Sequence, residues 1–287
     1  MSRLLRLAKA EKKSKSIKSE IHAYKRKMRI VSLVVTLVIL FSLIVLFSYY
    51  LLAYFAVFSS SKDDGDGTSN NDGNGTSNST LLKAALVDAL YSDFPNDYFT
   101  SELNHTLQAA GYSVDVFQGT NVTVDFLKDL PTGYKLVVLR LHSAPSDSGD
   151  LYFFTAEPYS VGAHTQEQQS RLVKAAYARE DSQSVFAVNW AFIRVFMRNE
   201  LNGTLVVAMG CDGTLDEGVI SEFKNQGAVG YVGWTGPVSL SHSDAAILYF
   251  VKGLYESDLS LEKAVEDTNR VVGADPTWGA RLECYRS

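Results

Sequence analysis

A run of 29 residues without a charged side chain, residues 30–58, limits most strongly what this chain can form. A helix of about 20 apolar residues is long enough to cross the hydrocarbon core of a bilayer. A cleavable signal peptide is the alternative, but its apolar core is usually about 7–15 residues long and is followed by a cleavage site of small residues. No convincing site of that kind follows residue 58. We therefore expect one uncleaved transmembrane helix over residues 30–58, surrounded by membrane lipid.

Charge is distributed unevenly around this run. Residues 1–29 contain eleven Lys and Arg against two Glu, a formal charge of +9. Positive segments stay on the cytoplasmic side, so residues 1–29 are predicted to be cytoplasmic and everything after residue 58 to face outward. Such a basic segment is also typical of nucleic-acid binding. Its position directly before a membrane span favours contact with anionic lipid instead, and we predict no nucleic-acid partner.

Candidate glycosylation sites agree with this topology. Asn-x-Ser/Thr motifs are modified only where the chain faces outward. All of them in this chain lie beyond the apolar run, at Asn74, Asn78, Asn104, Asn121 and Asn202. The sequence therefore predicts a single-pass membrane glycoprotein with an extracellular C-terminal domain.

Residues 59–80 consist almost entirely of Ser, Gly, Asn, Asp and Thr, a composition typical of a flexible linker. Asn70, Asp72 and Asn74 have the spacing of the first ligands of a calcium-binding loop. The glutamate that closes such a loop is missing, since position 81 is Leu. We interpret the segment as a solvated linker and predict no metal or other cofactor.

The remaining residues, 81–287, alternate between apolar strands and amphipathic helices, which predicts one α/β domain with a mostly parallel sheet covered on both faces. Of the 27 Lys and Arg and 32 Asp and Glu in the chain, 16 and 30 remain outside residues 1–29, a net charge of −14. An acidic surface of this kind argues against a polyanionic substrate. The predicted strands are 83–90, 112–119, 134–142, 150–157, 203–210, 228–234 and 279–285, and the predicted helices are 97–111, 167–180, 215–227, 243–257 and 260–273.

Two predicted strands end in residues with reactive side chains. "KLVVLRLHS" leads to His142, and "TLVVAMGCDG" leads to Cys211. If these strands are neighbours, about 4.8 Å apart, both side chains reach the same edge of the sheet, where binding groups collect in α/β proteins. A nearby imidazole favours the thiolate and moves its proton, and Gly210 and Gly213 allow a sharp turn around the sulfur. The pattern predicts a nucleophilic cysteine with a histidine base.

The stretch from "VVAMGCDGT" to "SLEKAVEDTNRVV" resembles the caspase-like (clan CD) cysteine peptidases, and within them it is most like the CHAT and gingipain-like domains. The resemblance covers residues 83–285 and is strongest over 203–273. It implies a three-layer caspase-like domain that hydrolyses peptide bonds, in which His142 matches the base and Cys211 the nucleophile.

The resemblance also implies roles for residues around this pair. The backbone N–H groups of Ser143 and Cys211 would stabilise the oxyanion, although the family usually has glycine where this chain has Ser143. Asp88 matches an acidic group found in relatives that select basic side chains. Trp234 matches a wall of the substrate pocket. A preference for Lys or Arg at the cleavage site is therefore expected.

Other interpretations remain open at this stage. Cys211 and Cys284 lie in an outward-facing domain and are candidates for a disulfide, which would abolish nucleophilic chemistry. His242 follows another predicted strand and is a candidate substrate contact, an alternative base, or a solvated loop residue. No Cys/His cluster indicates zinc. The alternative function is a non-catalytic ectodomain that binds a peptide, a glycan or a surface protein, which Ser143 and the lack of a recognisable propeptide favour.

Overall fold

A computed structural model describes residues 82–179, 181–198 and 200–287. The predicted cytoplasmic segment (1–29), membrane span (30–58) and linker (59–80) lie outside the described residues. No helix in the described part of the chain has the length and apolar character needed to cross a bilayer. The membrane span over residues 30–58 stays a prediction.

The described residues form ten strands, seven α-helices and a short 3-10 helix at Gly119–Asn121. The strands are β1 (Leu82–Asp88), β2 (Tyr112–Gln118), β3 (Tyr134–Arg140), β4 (Ser143–Pro145), β5 (Leu151–Pro158), β6 (Val173–Ala176), β7 (Val185–Val188), β8 (Leu205–Ala208), β9 (Gly230–Trp234) and β10 (Leu282–Arg286). The helices are α1 (Asp97–Ala109), α2 (Val124–Lys128), α3 (Thr165–Gln169), α4 (Trp190–Phe196), α5 (Glu217–Asn225), α6 (Leu240–Tyr255) and α7 (Leu261–Val271).

Six strands form the central sheet in the order β10-β9-β8-β3-β1-β2. All neighbouring pairs are parallel except β9 and β10, which are antiparallel. The carboxyl ends of β1, β3, β8 and β9 therefore meet at one edge. Because Leu282 pairs with Trp234, the segment that leads into β10 reaches the same edge.

Alternating side chains of the central strands divide between two apolar cores, as the period of two in a strand requires. In β3, Leu136 and Val138 belong to the core that packs against α1, α6 and α7. Val137 and Leu139 belong to the other core, which includes residues of α2, α4 and α5. The domain is thus a sheet between two layers of helices, and the prediction of an α/β fold with a mostly parallel sheet is confirmed.

A second sheet of four antiparallel strands, in the order β4-β5-β7-β6, is inserted along the chain between β3 and β8. One side of this sheet contributes to the same core as α2, α4 and α5, through Leu151, Phe153 and Val188. Its other side forms a small separate cluster that includes Tyr152 and Phe154. The insertion begins directly after His142, so it borders the carboxyl edge of the central sheet.

The predicted helix over residues 167–180 is wrong. Helix α3 ends at Gln169, Arg171 has a left-handed backbone with φ of 58°, and the following residues pair with β7 as strand β6. The sequence "VKAA" supports either structure locally, and pairing with a distant strand decides between them. Helix α4 lies between the predicted strands 150–157 and 203–210, at residues where the sequence predicts neither a helix nor a strand.

Candidate functional site

The two reactive side chains follow neighbouring strands. Strands β3 and β8 pair in parallel, with Leu139 opposite Ala208 as their last pair. One step further, the Met209 N–H donates to the Leu139 carbonyl at 2.9 Å, which keeps the two segments together. His142 and Cys211 each lie three residues beyond this last pair. The expectation that their strands are sheet neighbours is confirmed.

Ser143 and Gly210 join the two segments beyond the strand ends. The Ser143 hydroxyl is buried and donates to the Cys211 carbonyl at 2.5 Å. A Cβ atom on Gly210 would lie 2.2 Å from this hydroxyl and 2.7 Å from the Leu141 carbonyl, both too close for any side chain. Ser143 is therefore accommodated by a glycine, Gly210, on the neighbouring segment.

The thiol of Cys211 is bound by the backbone of the loop after β9. The Val238 N–H donates to Cys211 Sγ at 3.4 Å, and Sγ lies 3.7 Å from the Val238 carbonyl. Burial raises the pKa of the thiol, and the negative charges of Asp212 and Asp275 raise it further, while the Val238 N–H opposes them. Burial and the neighbouring negative charges therefore favour the neutral thiol over the thiolate.

Loop 235–239 is itself anchored by Asp275, a buried carboxylate. Its Oδ2 accepts from the Ser239 N–H at 2.8 Å and from the Ser239 hydroxyl, and its Oδ1 accepts from the N–H groups of Thr277 and Trp278. Burial alone would raise the pKa of Asp275, but these hydrogen bonds hold it well below its usual range. Asp275 thereby fixes the position of Val238 under the thiol.

The imidazole of His142 lies between aromatic rings. Its centroid is 6.1 Å from that of Phe94 and 6.1 Å from that of Phe154, both in edge arrangements. Burial lowers the pKa of His142, opposed by Asp93 and reinforced by Arg140 and Arg179. In the part of the chain that the structure describes, no hydrogen bond joins this imidazole to Cys211.

The arrangement thus supplies a neutral thiol and a neutral imidazole, the two reactants of general-base activation. One backbone donor is also free to face the site. The Phe154 N–H donates to the His142 carbonyl at 2.8 Å, so the next antiparallel pair, Ser143 and Phe153, is a non-hydrogen-bonded one. The N–H of Ser143 therefore points away from β5 and is not used in pairing with that strand.

Asp88 is not available to a substrate side chain, contrary to the prediction. It is 1% exposed, and its two carboxylate oxygens accept from Arg140 Nη1 at 2.9 and 3.0 Å. Arg140 is also 1% exposed and donates from Nε and Nη2 to Asp244 at 2.8 and 3.0 Å. An internal arginine therefore occupies the place beside Asp88 that a basic substrate group was expected to take.

Arg140, Asp244 and Asn96 are parts of this edge that the sequence argument missed. Asn96 donates to Asp244 at 2.8 Å, which ties the start of α1 to α6. A usable signal was present: "KLVVLRLH" has a charged residue inside a buried strand. A buried guanidinium requires partner carboxylates, because an unpaired charge in the core is very costly.

Trp234 does not line an open site, and the half-buried His242 packs against it. Trp234 is 0% exposed and donates from Nε1 to the Ser243 hydroxyl at 3.0 Å, so its predicted role as a pocket wall is contradicted. His242, in the first turn of α6, packs on Trp234 with ring centroids 5.5 Å apart. Its Nε2 is buried and has no hydrogen-bond partner among the described residues.

Both cysteines are free thiols. Cys284 pairs with Val232, which pairs with Val207, whereas Cys211 lies four residues beyond Val207. Disulfide geometry requires Cα atoms about 4.4–6.8 Å apart, and two strand spacings alone exceed that distance. The disulfide alternative is not realised in this fold.

The glycosylation predictions fall partly on described residues. Asn121 and Asn202 are exposed, while Asn104 is half-buried on α1. The threonines of the motifs at Asn104 and Asn202 are buried and hydrogen-bonded: Thr106 donates to Glu256 and Thr204 to the Tyr134 carbonyl. Asn74 and Asn78 lie outside the described residues, and modification at all five positions stays a prediction.

Between residues 82 and 287, as far as they are described, no group of three or more His, Cys, Asp or Glu side chains is placed to hold a metal ion. Comparison of the chain with models of protein families gives no match, and a search of curated proteins gives none either.

Proposed function

We propose that this chain is a membrane-anchored, outward-facing cysteine peptidase of the caspase-like type, with Cys211 as nucleophile and His142 as base. One observation carries the proposal: both residues lie three positions beyond the last pair of two neighbouring parallel strands. In the family that the sequence resembles, one strand leads to the base and a core strand leads to the cysteine. The membrane anchor and orientation rest on residues 1–58.

The reaction follows from the two neutral side chains. A bound peptide places its carbonyl carbon at Cys211 Sγ, and a nitrogen of His142 takes the thiol proton as the C–S bond forms. The N–H groups of Ser143 and Cys211 stabilise the oxyanion. The imidazolium then gives its proton to the leaving amine as the C–N bond breaks. Water, deprotonated by His142, hydrolyses the acyl-enzyme and restores the thiol.

The electrostatics of the site set the pH dependence of this reaction. The pKa of His142 is lowered by burial, so the imidazole is already the neutral base at neutral pH. As pH falls, activity is lost only when it passes below the ordinary histidine value of about 6.5. Because burial raises the thiol pKa, the imidazole must take the proton from a neutral thiol as the sulfur attacks.

The proposal includes no preference for Lys or Arg at the cleavage site. Asp88 and Asp244 are buried and already bound by Arg140, so this acidic pair is not accessible to a basic substrate side chain. The remaining support for basic substrates is the net charge of −14 outside residues 1–29. This charge raises the rate at which basic substrates associate with the protein, but it does not form a specific binding subsite.

Hydrolysis of a peptide panel by the full-length chain tests the proposal. Cys211→Ala is expected to lower the rate by about 10³-fold or more, because it removes the nucleophile. Cys284→Ala is the matched control, since Cys284 is also a partly buried free thiol, and it should retain the rate. An unchanged rate in Cys211→Ala would contradict the proposal.

A second function, a non-catalytic ectodomain that binds a peptide, glycan or surface protein, is favoured by one observation. The sulfur of Cys211 is bound by both backbone groups of Val238. A thiol-reactive probe on the full-length chain distinguishes the two functions. Faster, pH-dependent labelling of Cys211 than of Cys284 supports the peptidase, and inertness of both supports the binding domain.

A further inference from the structure

We propose that Phe94 is a positioning residue for the imidazole of His142, and that the buried cluster of Asp88, Arg140 and Asp244 acts on His142 by holding Phe94 in place. The catalytic meaning of this arrangement rests on the proposed function. The arrangement itself is a property of the folded chain and can be measured without turnover.

The cluster reaches beyond its own ion pairs to loop 89–96. Arg140 makes four hydrogen bonds to the carboxylates of Asp88 and Asp244, and its fifth goes from Nη2 to the Phe94 carbonyl at 3.1 Å. Although burial alone would lower the pKa of Arg140, the two carboxylates raise it. The guanidinium is thus permanently charged, and one of its donors is committed to the loop.

Two further contacts fix the same loop. Asp88 Oδ1 accepts from the Leu90 N–H at 3.0 Å, and the Phe94 N–H donates to the Leu90 carbonyl at 2.8 Å. At the other end, the Asn96 side chain donates to Asp244 at 2.8 Å and accepts from the Phe99 N–H at 3.0 Å, which begins α1. Both ends of loop 89–96 are therefore attached to the charged cluster.

Phe94 transmits this constraint to the base. Its ring is perpendicular to that of His142, and Phe154 contacts the imidazole in a second edge arrangement at 62°. The charged groups that act on the imidazole are Asp93, Arg140 and Arg179. In the described residues no carboxylate accepts from either ring nitrogen of His142. Aromatic packing therefore orients this imidazole, as a hydrogen-bonded carboxylate often does for a histidine. The same packing limits the access of water to the ring.

The experiment measures the pKa of His142 in the full-length chain through the pH dependence of its modification by diethyl pyrocarbonate, which attacks neutral imidazole. Peptide mapping by mass spectrometry separates His142 from the other histidines. Phe94→Ala exposes the ring to water, which favours the charged form, so its pKa is expected to rise by about 0.5 or more. Phe94→Tyr should restore it, and Tyr98→Ala, at an exposed aromatic nearby on α1, should not change it.

A second variant tests the role of the cluster. Asn96→Ser keeps a side chain that can cap α1 but removes the bond to Asp244. It should raise the pKa of His142 in the parent chain and have little further effect in Phe94→Ala. An unchanged pKa in Phe94→Ala overturns the proposal. An equal effect of Asn96→Ser in both backgrounds shows that the cluster does not act through Phe94 and overturns that part.

These outcomes are separate from those of the peptidase test. If peptide hydrolysis is absent and the pKa of His142 still rises in Phe94→Ala, the positioning stands and the peptidase proposal fails. If hydrolysis depends on Cys211 but Phe94→Ala leaves both the pKa and the pH profile unchanged, the peptidase stands and the positioning fails.

Discussion

The two halves of the carboxyl edge hold their functional side chains by different means. In the half that follows β1 and β3, which we call the charged half, the buried Arg140 forms ion pairs with Asp88 and Asp244. In the half that follows β8 and β9, which we call the neutral half, the thiol of Cys211 hydrogen-bonds to the neutral backbone of Val238. Removing one partner of a buried ion pair costs far more than exchanging one neutral hydrogen bond for another.

This difference suits the two proposed roles. A base that returns its proton in every cycle benefits from one fixed orientation, and the charged half supplies it through loop 89–96. A nucleophile must leave its resting partner to attack a carbonyl carbon, and a weak sulfur contact permits that exchange. The charged half therefore serves the proposed role of His142, and the neutral half serves that of Cys211.

The largest expected effect comes from breaking the charged half. Arg140→Met leaves two buried carboxylates without a counter-ion, and the free energy of unfolding should fall by about 3–5 kcal/mol. Chemical denaturation of the full-length chain measures this change. Arg281→Met is the control, because Arg281 is exposed, and should change it by less than about 0.5 kcal/mol. Similar values for both variants would show that the cluster does not stabilise the edge.

A smaller loss of stability is expected where the two halves meet, at Ser143 and Gly210. Gly210→Ala forces a methyl group against the Ser143 hydroxyl and the Leu141 carbonyl, and should destabilise the fold by about 1–3 kcal/mol. Ser143→Ala in the same chain should recover only part of this loss, because the carbonyl remains. Thermal unfolding measures both, with Gly162→Ala as the control, because the nearest atom to its new methyl group is Ser160 Oγ at 4.0 Å. Full recovery would mean that the hydroxyl alone causes the clash.

The smallest effect sharpens the description of the neutral half. Asp212 has a left-handed backbone, which Asn tolerates, so Asp212→Asn should leave stability nearly unchanged. Removing its negative charge favours the thiolate, so the raised pKa of Cys211 should fall and labelling at pH 8 should quicken by about twofold. Asp147→Asn, at an exposed loop position, is the control. Equal labelling in both variants would show that Asp212 does not act on the sulfur.

Much of the central sheet was predictable because its strands carry their own signal. The continuous apolar runs that become β3 and β8 bury both faces, and no other element type accommodates them at that length. Strand β6 lacked such a signal, since "VKAA" becomes a strand only by pairing with β7. The local sequence pattern of a short, weakly apolar segment does not show whether the segment will pair with a distant strand.

The same distinction applies to the site. The placement of His142 and Cys211 beyond two neighbouring strand ends was predictable, because each follows a continuous apolar run. The burial of Asp88 in an ion pair was not predictable. Its partner Arg140 lies 52 residues further along the chain, and Asp244 lies 104 residues beyond Arg140. Val238 binds the sulfur through its backbone groups, so its residue type does not indicate this contact and the sequence could not predict it.

The shared three-residue offset of His142 and Cys211 from the last strand pair has a consequence for changes in chain length. Deleting one residue from 140–142 or from 209–211 would shift one reactive group by one position relative to the other, so their offsets from the last strand pair would no longer match. Loops elsewhere on the domain tolerate insertions and deletions far better. Under the proposed chemistry, these two tripeptides should be the segments where natural or engineered length variation abolishes activity.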